Sequence, residues 1–185
     1  MKKKTYWKSL CYRDGKILSH YDKSEWVVGQ WRVNPYPVIN ECEGLNCSEM
    51  IVDAMRFVNC EVLAQVEIRG TTIASDDKVT AQEMRIVKAW QWTKEDSVAM
   101  AICAAELVIE YYEKRYPNDQ RPRQAIEAAK AWLANPTNDA ADAAHAADAA
   151  AHAAHAAAHA APRLGMKTKI QKWCISHLKN KEGLV

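Results

Sequence analysis

The sequence predicts an α+β protein in two parts: a small mixed α/β N-terminal unit over residues 1–92, then an antiparallel, alanine-rich four-helix array over residues 93–185. Three observations carry this prediction. Val62, Ala64, Val66 and Ile68 alternate with Leu63, Gln65, Glu67 and Arg69, which is the period of a strand. After Trp92 the pattern changes, and Val98, Ala101, Ile102, Ala105, Val108, Ile109 and Tyr112 repeat at helical spacing. Finally, residues 139–161 hold sixteen alanines interrupted only by Asp139, Asp142, His145, Asp148, His152, His155 and His159, and alanine is the best helix former.

The N-terminal elements follow in order. The run Thr5 to Tyr12 reads as a strand closed by the Asp14-Gly15 turn. A second run, Trp26 to Trp31, ends before Asn34-Pro35-Tyr36-Pro37, because proline cannot donate to a central ladder. Ser48 has the chemistry of an N-cap for a helix over Glu49 to Val58, with Ile51, Ala54, Met55 and Val58 on its apolar face. The strand Glu61 to Arg69 is predicted to stop at Gly70, and a last strand runs from Met84 to Trp92.

The helical elements have clear punctuation. Thr93 caps the first helix, with Asp96 three residues later as a capping-box variant. Pro117-Asn118-Asp119 breaks that helix, and Pro122 suits the first turn of the next, which ends before Pro136. The alanine helix runs from about Thr137 to Pro162, and the last helix covers Met166 to Lys179. Short connections between such helices predict antiparallel neighbours.

Composition narrows the function classes. Hydrophobic residues make up 49% and charged residues 26%, ordinary for a soluble globular protein. A formal net charge of +2 does not by itself make a nucleic-acid binder, although lysines cluster at Lys2–Lys4 and basic residues recur from Arg163 to Lys181. Thr5, Tyr6, Trp7 and Lys8 follow the basic start where a signal peptide needs an apolar run, so a cytoplasmic location is expected and the six cysteines are expected as thiols. The three Asp and four His of the alanine run argue against a membrane span. Neither a phosphate-binding glycine loop nor a G-x-S-x-G elbow is present.

Two polar features remain as candidate sites. Asp148, His152, His155 and His159 recur at spacings of 4, 3 and 4, the period of one helix face. That stripe reads either as the wetted edge of an alanine helix or as ligands for a divalent metal, and the first reading is preferred because no general-base Glu sits between the histidines. Arg121 and Arg123 flank Pro122 just after Asp119. Guanidinium forks grip carboxylates and other anions, and the competing reading is an internal ion pair that locks the helix corner. No cofactor is expected.

The segment from Tyr116 to Trp132, with its P-x-D-x-R-P-R-x-A-I-E-A-A-K-A-W run and the alanine-and-histidine helix after it, resembles the immunity proteins found beside polymorphic toxins, a helical domain also met in bacteriophages. The resemblance spans about seventy residues. Where those relatives carry arginines in the alanine helix, this chain has histidine and aspartate. Lys8-Ser9-Leu10, Trp26 to Trp31, Cys42 to Ser48 and Val62 to Gly70 are similar to a small phage domain. The resemblance implies a non-catalytic binding or inhibitor protein of phage or mobile-element origin that masks a toxin, nuclease or host defence factor. The candidate partner-binding residues are Asp148, His152, His155, His159, Arg121 and Arg123. The alternative is a metal-dependent hydrolase or nucleic-acid-processing enzyme built on the His/Asp stripe, with nucleic acid as its partner. Self-association through an alanine face is a third possibility.

Overall fold

The computed structural model describes residues 4–56, 58–136 and 165–184. The chain divides into two compact units, one of residues Met1–Trp92 with Ile175–Val185 and one of Thr93–Cys174.

The first unit is an antiparallel sheet that curls almost into a barrel. Its strands are β1 (Tyr6–Arg13), β2 (Lys16–Leu18), β3 (Glu25–Trp26), β4 (Arg32–Val33), β5 (Leu45–Cys47), β6 (Val62–Ala74) and β7 (Val79–Gln91). They run in the order β3-β2-β1-β6-β7-β4, with β5 also paired to β7. Closure comes from two places. The chain passes directly from β3 at one end of this order to β4 at the other, and Gly29 N–H bonds Ile86 O at 2.8 Å on the way. Trp7 exchanges main-chain bonds of 2.8 and 2.9 Å with Ser48, which joins β1 to the end of β5.

Sheet closure gives the short strands a common interior. Leu10, Ile17, Trp26, Val62, Ala64, Val66, Met84 and Ile86 are buried together in one cluster. The alternation of a strand places Tyr6 and Tyr12 against that cluster on the same face of β1 as Leu10. Arg13 and Lys16 pair across a two-residue turn in which Asp14 and Gly15 both have positive φ, 51° and 76°. These are the angles that a hairpin of this length favours. After the last helix, Leu184 packs against the cluster and its N–H bonds Ala89 O at 2.7 Å.

Several expectations are corrected in this unit. The run Trp26 to Trp31 is not one strand, because Gly29 (φ 83°) turns the chain between β3 and β4. The helix expected over Glu49 to Val58 shrinks to α1 (Ile51–Ala54), four residues without a side-chain cap. Ser48 has both main-chain groups bonded to Trp7. Gly70 does not end β6. It sits at a bulge, with φ 76° and a register shift between Arg69 and Thr72, and the strand continues to Ala74. β7 likewise begins at Val79, five residues before the expected Met84.

The second unit is helical, and it too departs from the expected four-helix array. Its elements are α2 (Lys94–Glu106), α3 (Ile109–Arg115), α4 (Arg121–Ala134) and the first part of α5 (Met166–Lys179). The helix expected to run unbroken from Thr93 through Tyr112 breaks at Leu107–Val108, where the N–H groups bond Cys103 O and Ala105 O and close α2 with a tightened turn. One core joins α2, α3 and α4, through Val98, Ile102, Ala105, Ile109, Ile126, Ala129 and Trp132. The C-terminal residues of α5, from Ile175, belong instead to the sheet unit, where His177 meets the edge of Trp92 with ring centroids 6.2 Å apart. An α+β protein remains, with a near-barrel sheet in place of a mixed α/β unit and without the four-helix array. The expected alanine helix lies outside the described residues.

Candidate functional site

The corner between α3 and α4 is built on Asp119. Tyr116-Pro117 ends α3, since Pro117 leaves Tyr116 with a non-helical backbone (φ −132°, ψ 69°). Pro122 then fits the first turn of α4. The Asp119 carboxylate accepts from Arg121 Nε at 2.8 Å and Arg121 Nη2 at 2.6 Å, from the Arg121 main-chain N–H at 3.1 Å, and from the Tyr112 hydroxyl at 2.7 Å. The bonds from Arg121 and Tyr112 hold this carboxyl well below the usual range. The same contact raises the Tyr112 hydroxyl above its ordinary value.

A second pair braces the corner from the other side. Arg123 donates from Nε and Nη2 to the two Glu113 oxygens, each at 2.8 Å, a bidentate fork between α4 and α3. That pairing lowers the Glu113 carboxyl and raises the Arg123 guanidinium. Lys130 adds a bridge from α4 to Glu106 at the end of α2, at 2.8 Å.

The locked corner displays large side chains. Tyr111 and Tyr116 are 52% and 46% exposed although both are aromatic. The Tyr112 and Tyr116 rings lie 4.9 Å apart, and Arg115 sits 5.7 Å above Tyr116. Arg121, Tyr116, Gln120 and Gln124 border an open recess around Asn118. Tyrosine and arginine are side chains that anchor protein interfaces, and tyrosine carries much contact area at a low cost in entropy.

Of the six sequence-predicted site residues, the structure describes two, Arg121 and Arg123. Arg121 and Arg123 sit one on each side of Pro122, and each is paired with a different carboxylate, Asp119 and Glu113. Asp148, His152, His155 and His159 lie outside the described residues. Among the described residues no group of three or more His, Cys, Asp or Glu is arranged to hold a metal, and no helix is long and apolar enough to cross a membrane. All six cysteines are free thiols.

Sequence reasoning missed the tyrosines of this corner and a cavity beside β1 lined by Lys8, Ser9, His20 and Asn46. For the tyrosines the signal was present, since Tyr111, Tyr112 and Tyr116 surround a helix end where a core helix has no need of three.

The corner lies on a helical segment that carries exposed tyrosine and arginine in an α+β protein. The chain belongs to the Imm-5 like putative immunity protein family, whose model matches residues 88–181, just over half its length. No curated protein and no solved structure matches the chain.

Proposed function

We propose that this chain is an immunity-type inhibitor that binds a protein toxin and masks it, using the α3–α4 corner as its principal contact. The observation that carries the reading is the family match over residues 88–181, which contains the whole corner. The corner supports it physically. Asp119 and Glu113 pre-set Arg121 and Arg123, so little side-chain entropy is lost when a partner docks on them and on Tyr111 and Tyr116. Asp148, His152, His155 and His159 fall in the same matched segment and are proposed as a further part of the contact surface. The inhibitor acts in the cytoplasm and carries no catalytic group of its own.

Affinity capture tests the reading. The tagged chain should retain one stoichiometric protein from lysate of its own host, and co-expression of the chain should relieve that protein's toxicity. The double variant Tyr116→Ala/Arg121→Glu should lose the partner while keeping its fold. A partner held equally by wild type and variant would move the surface away from the corner. A captured protein that is not toxic would overturn the inhibitor reading.

A further inference from the structure

The near-barrel has an opening in its wall. β2 pairs with β1 only over Cys11, Tyr12 and Arg13, and Ser48 pairs only with Trp7. Between these contacts the edge of β1 at Lys8–Leu10 that faces away from β6 has no strand partner among the described residues. Main-chain groups point alternately to the two sides of a strand, so Ser9 turns its N–H and C=O to the same edge as Trp7 and Cys11. A cavity of about 350 Å³ fills the opening. This is the lower end of the size range of small-molecule sites.

The chemistry of the cavity is one-sided. Lys8 Nζ donates to the Asn46 carbonyl at 2.7 Å and lies 5.5 Å from the Trp26 ring centroid, and no ion pair joins it to a carboxylate among the described residues. Asp22, a carboxylate that acts on Lys8 electrostatically, is itself engaged by Ser24 and by Arg32 at 3.2 Å. Ser9, on the opposite face of β1 from Lys8, is 7% exposed and its hydroxyl has no hydrogen-bond partner among the described residues. Cys47, also in the wall, is pushed up to about 12 by burial and is a neutral thiol. Leu10 and Val58 supply apolar wall. The cavity therefore offers a half-buried cation, with no carboxylate paired to it among the described residues, next to hydrocarbon.

We propose that this opening is a binding site for a small organic carboxylate, whose charged end meets the Lys8 ammonium and whose hydrocarbon part lies against Leu10, on the same face of β1, and against Val58. Burial, with a smaller contribution from Arg32, lowers the Lys8 amine to about 8. An anion relieves both effects by compensating the charge that burial disfavours. The site is separate from the α3–α4 corner and does not depend on the inhibitor reading.

Calorimetric titration of the full chain with benzoate and hexanoate, and with the neutral analogues benzamide and hexanamide, tests the proposal. Saturable binding is expected for at least one carboxylate, with its amide weaker by about tenfold or more, the effect of a charge-assisted bond. Lys8→Met should abolish binding, while Lys114→Met, at an exposed lysine of α3, should leave it unchanged. If Lys8→Met does not fold, the wild type still decides by NMR. Added carboxylate should move the Lys8 side-chain resonances and raise the pH at which they titrate. Equal binding of acid and amide, or no saturable response to either acid, would overturn the proposal.

Discussion

Asp119 holds the Arg121 guanidinium in a two-pronged grip, at 2.8 Å through Nε and 2.6 Å through Nη2, yet the Arg121 side chain stays 86% exposed against 19% for Asp119. The carboxylate thus serves as the half-buried post and the arginine as the displayed group. An exposed pair of this kind adds little to stability, because solvent screens it and two side chains must be ordered. Its physical effect is to fix the direction in which the guanidinium points. Arg121→Ala should accordingly leave the thermal midpoint almost unchanged while weakening partner binding, which parallel melting and binding measurements on one preparation would show.

Asp119→Asn should behave differently, since Asp119 also accepts from Tyr112 and from the Arg121 N–H. The folded carboxyl is depressed below its unfolded value, so its stabilising contribution is present above the ordinary aspartate range and is lost as pH falls through the folded value. Urea unfolding from pH 7 downward should show wild type more stable than Asp119→Asn at neutral pH. The two curves should converge in strong acid.

Lys8 carries the opposite sign. Its folded amine titrates at about 8 against 10.5 for the free side chain. Between those values the folded chain has released a proton that the unfolded chain still holds, so stability should climb as pH rises through this window and then level off. Lys8→Met should remove that slope. At pH 7 it should stabilise the fold, because a partly desolvated charge is replaced by an apolar side chain of similar length. A residue that costs stability where it sits is what a ligand site built on it would show.

Gly70 and Gly15 share a φ of 76° but not their surroundings. A Cβ at Gly70 would stand 2.9 Å from Gln82 Cβ, whereas nothing lies within 4 Å of one at Gly15. Alanine at either position is strained by the left-handed backbone, by about 1 kcal/mol. Gly70→Ala should cost at least about 1 kcal/mol more than Gly15→Ala, because backbone must shift at the bulge. Chemical denaturation of the two variants gives the difference directly.

Local signals in the sequence survived folding, and signals that depended on distant partners did not. Thr93 and Asp96 form a reciprocal capping box, with Thr93 N–H to Asp96 at 2.7 Å, because every atom involved lies within four residues. The Asp14-Gly15 turn and Pro122 in the first turn of α4 are local in the same way. Ser48 has the side chain of an N-cap but is paired to Trp7, forty-one residues away in sequence, and no local pattern reports such a pairing. Gly70 reads as a stop until β7 is known to run beside it. Lys8 is the most instructive case. Tyr6, Lys8, Leu10 and Tyr12 share one face of β1, so a lysine in an apolar register was visible, but only closure of the sheet half-buries it beside Trp26. At the α3–α4 corner the arginines were legible from their spacing, whereas the carboxylate partner of Arg123, Glu113, required α3 and α4 to pack.

The cap itself is open to test. Thr93→Ala leaves the Asp96 N–H without its side-chain acceptor and should cost about 1 kcal/mol in urea unfolding. Thr93→Ser should recover most of that loss, since the hydroxyl is restored.

Growth of cells producing the captured partner, with and without this chain, tests the inhibitor reading most directly. Wild type should restore growth, and Tyr116→Ala/Arg121→Glu, produced at the same level and equally folded, should not. Restoration of growth by both proteins would place the inhibitory surface elsewhere on the chain. Failure of the wild type to restore growth would contradict inhibition itself.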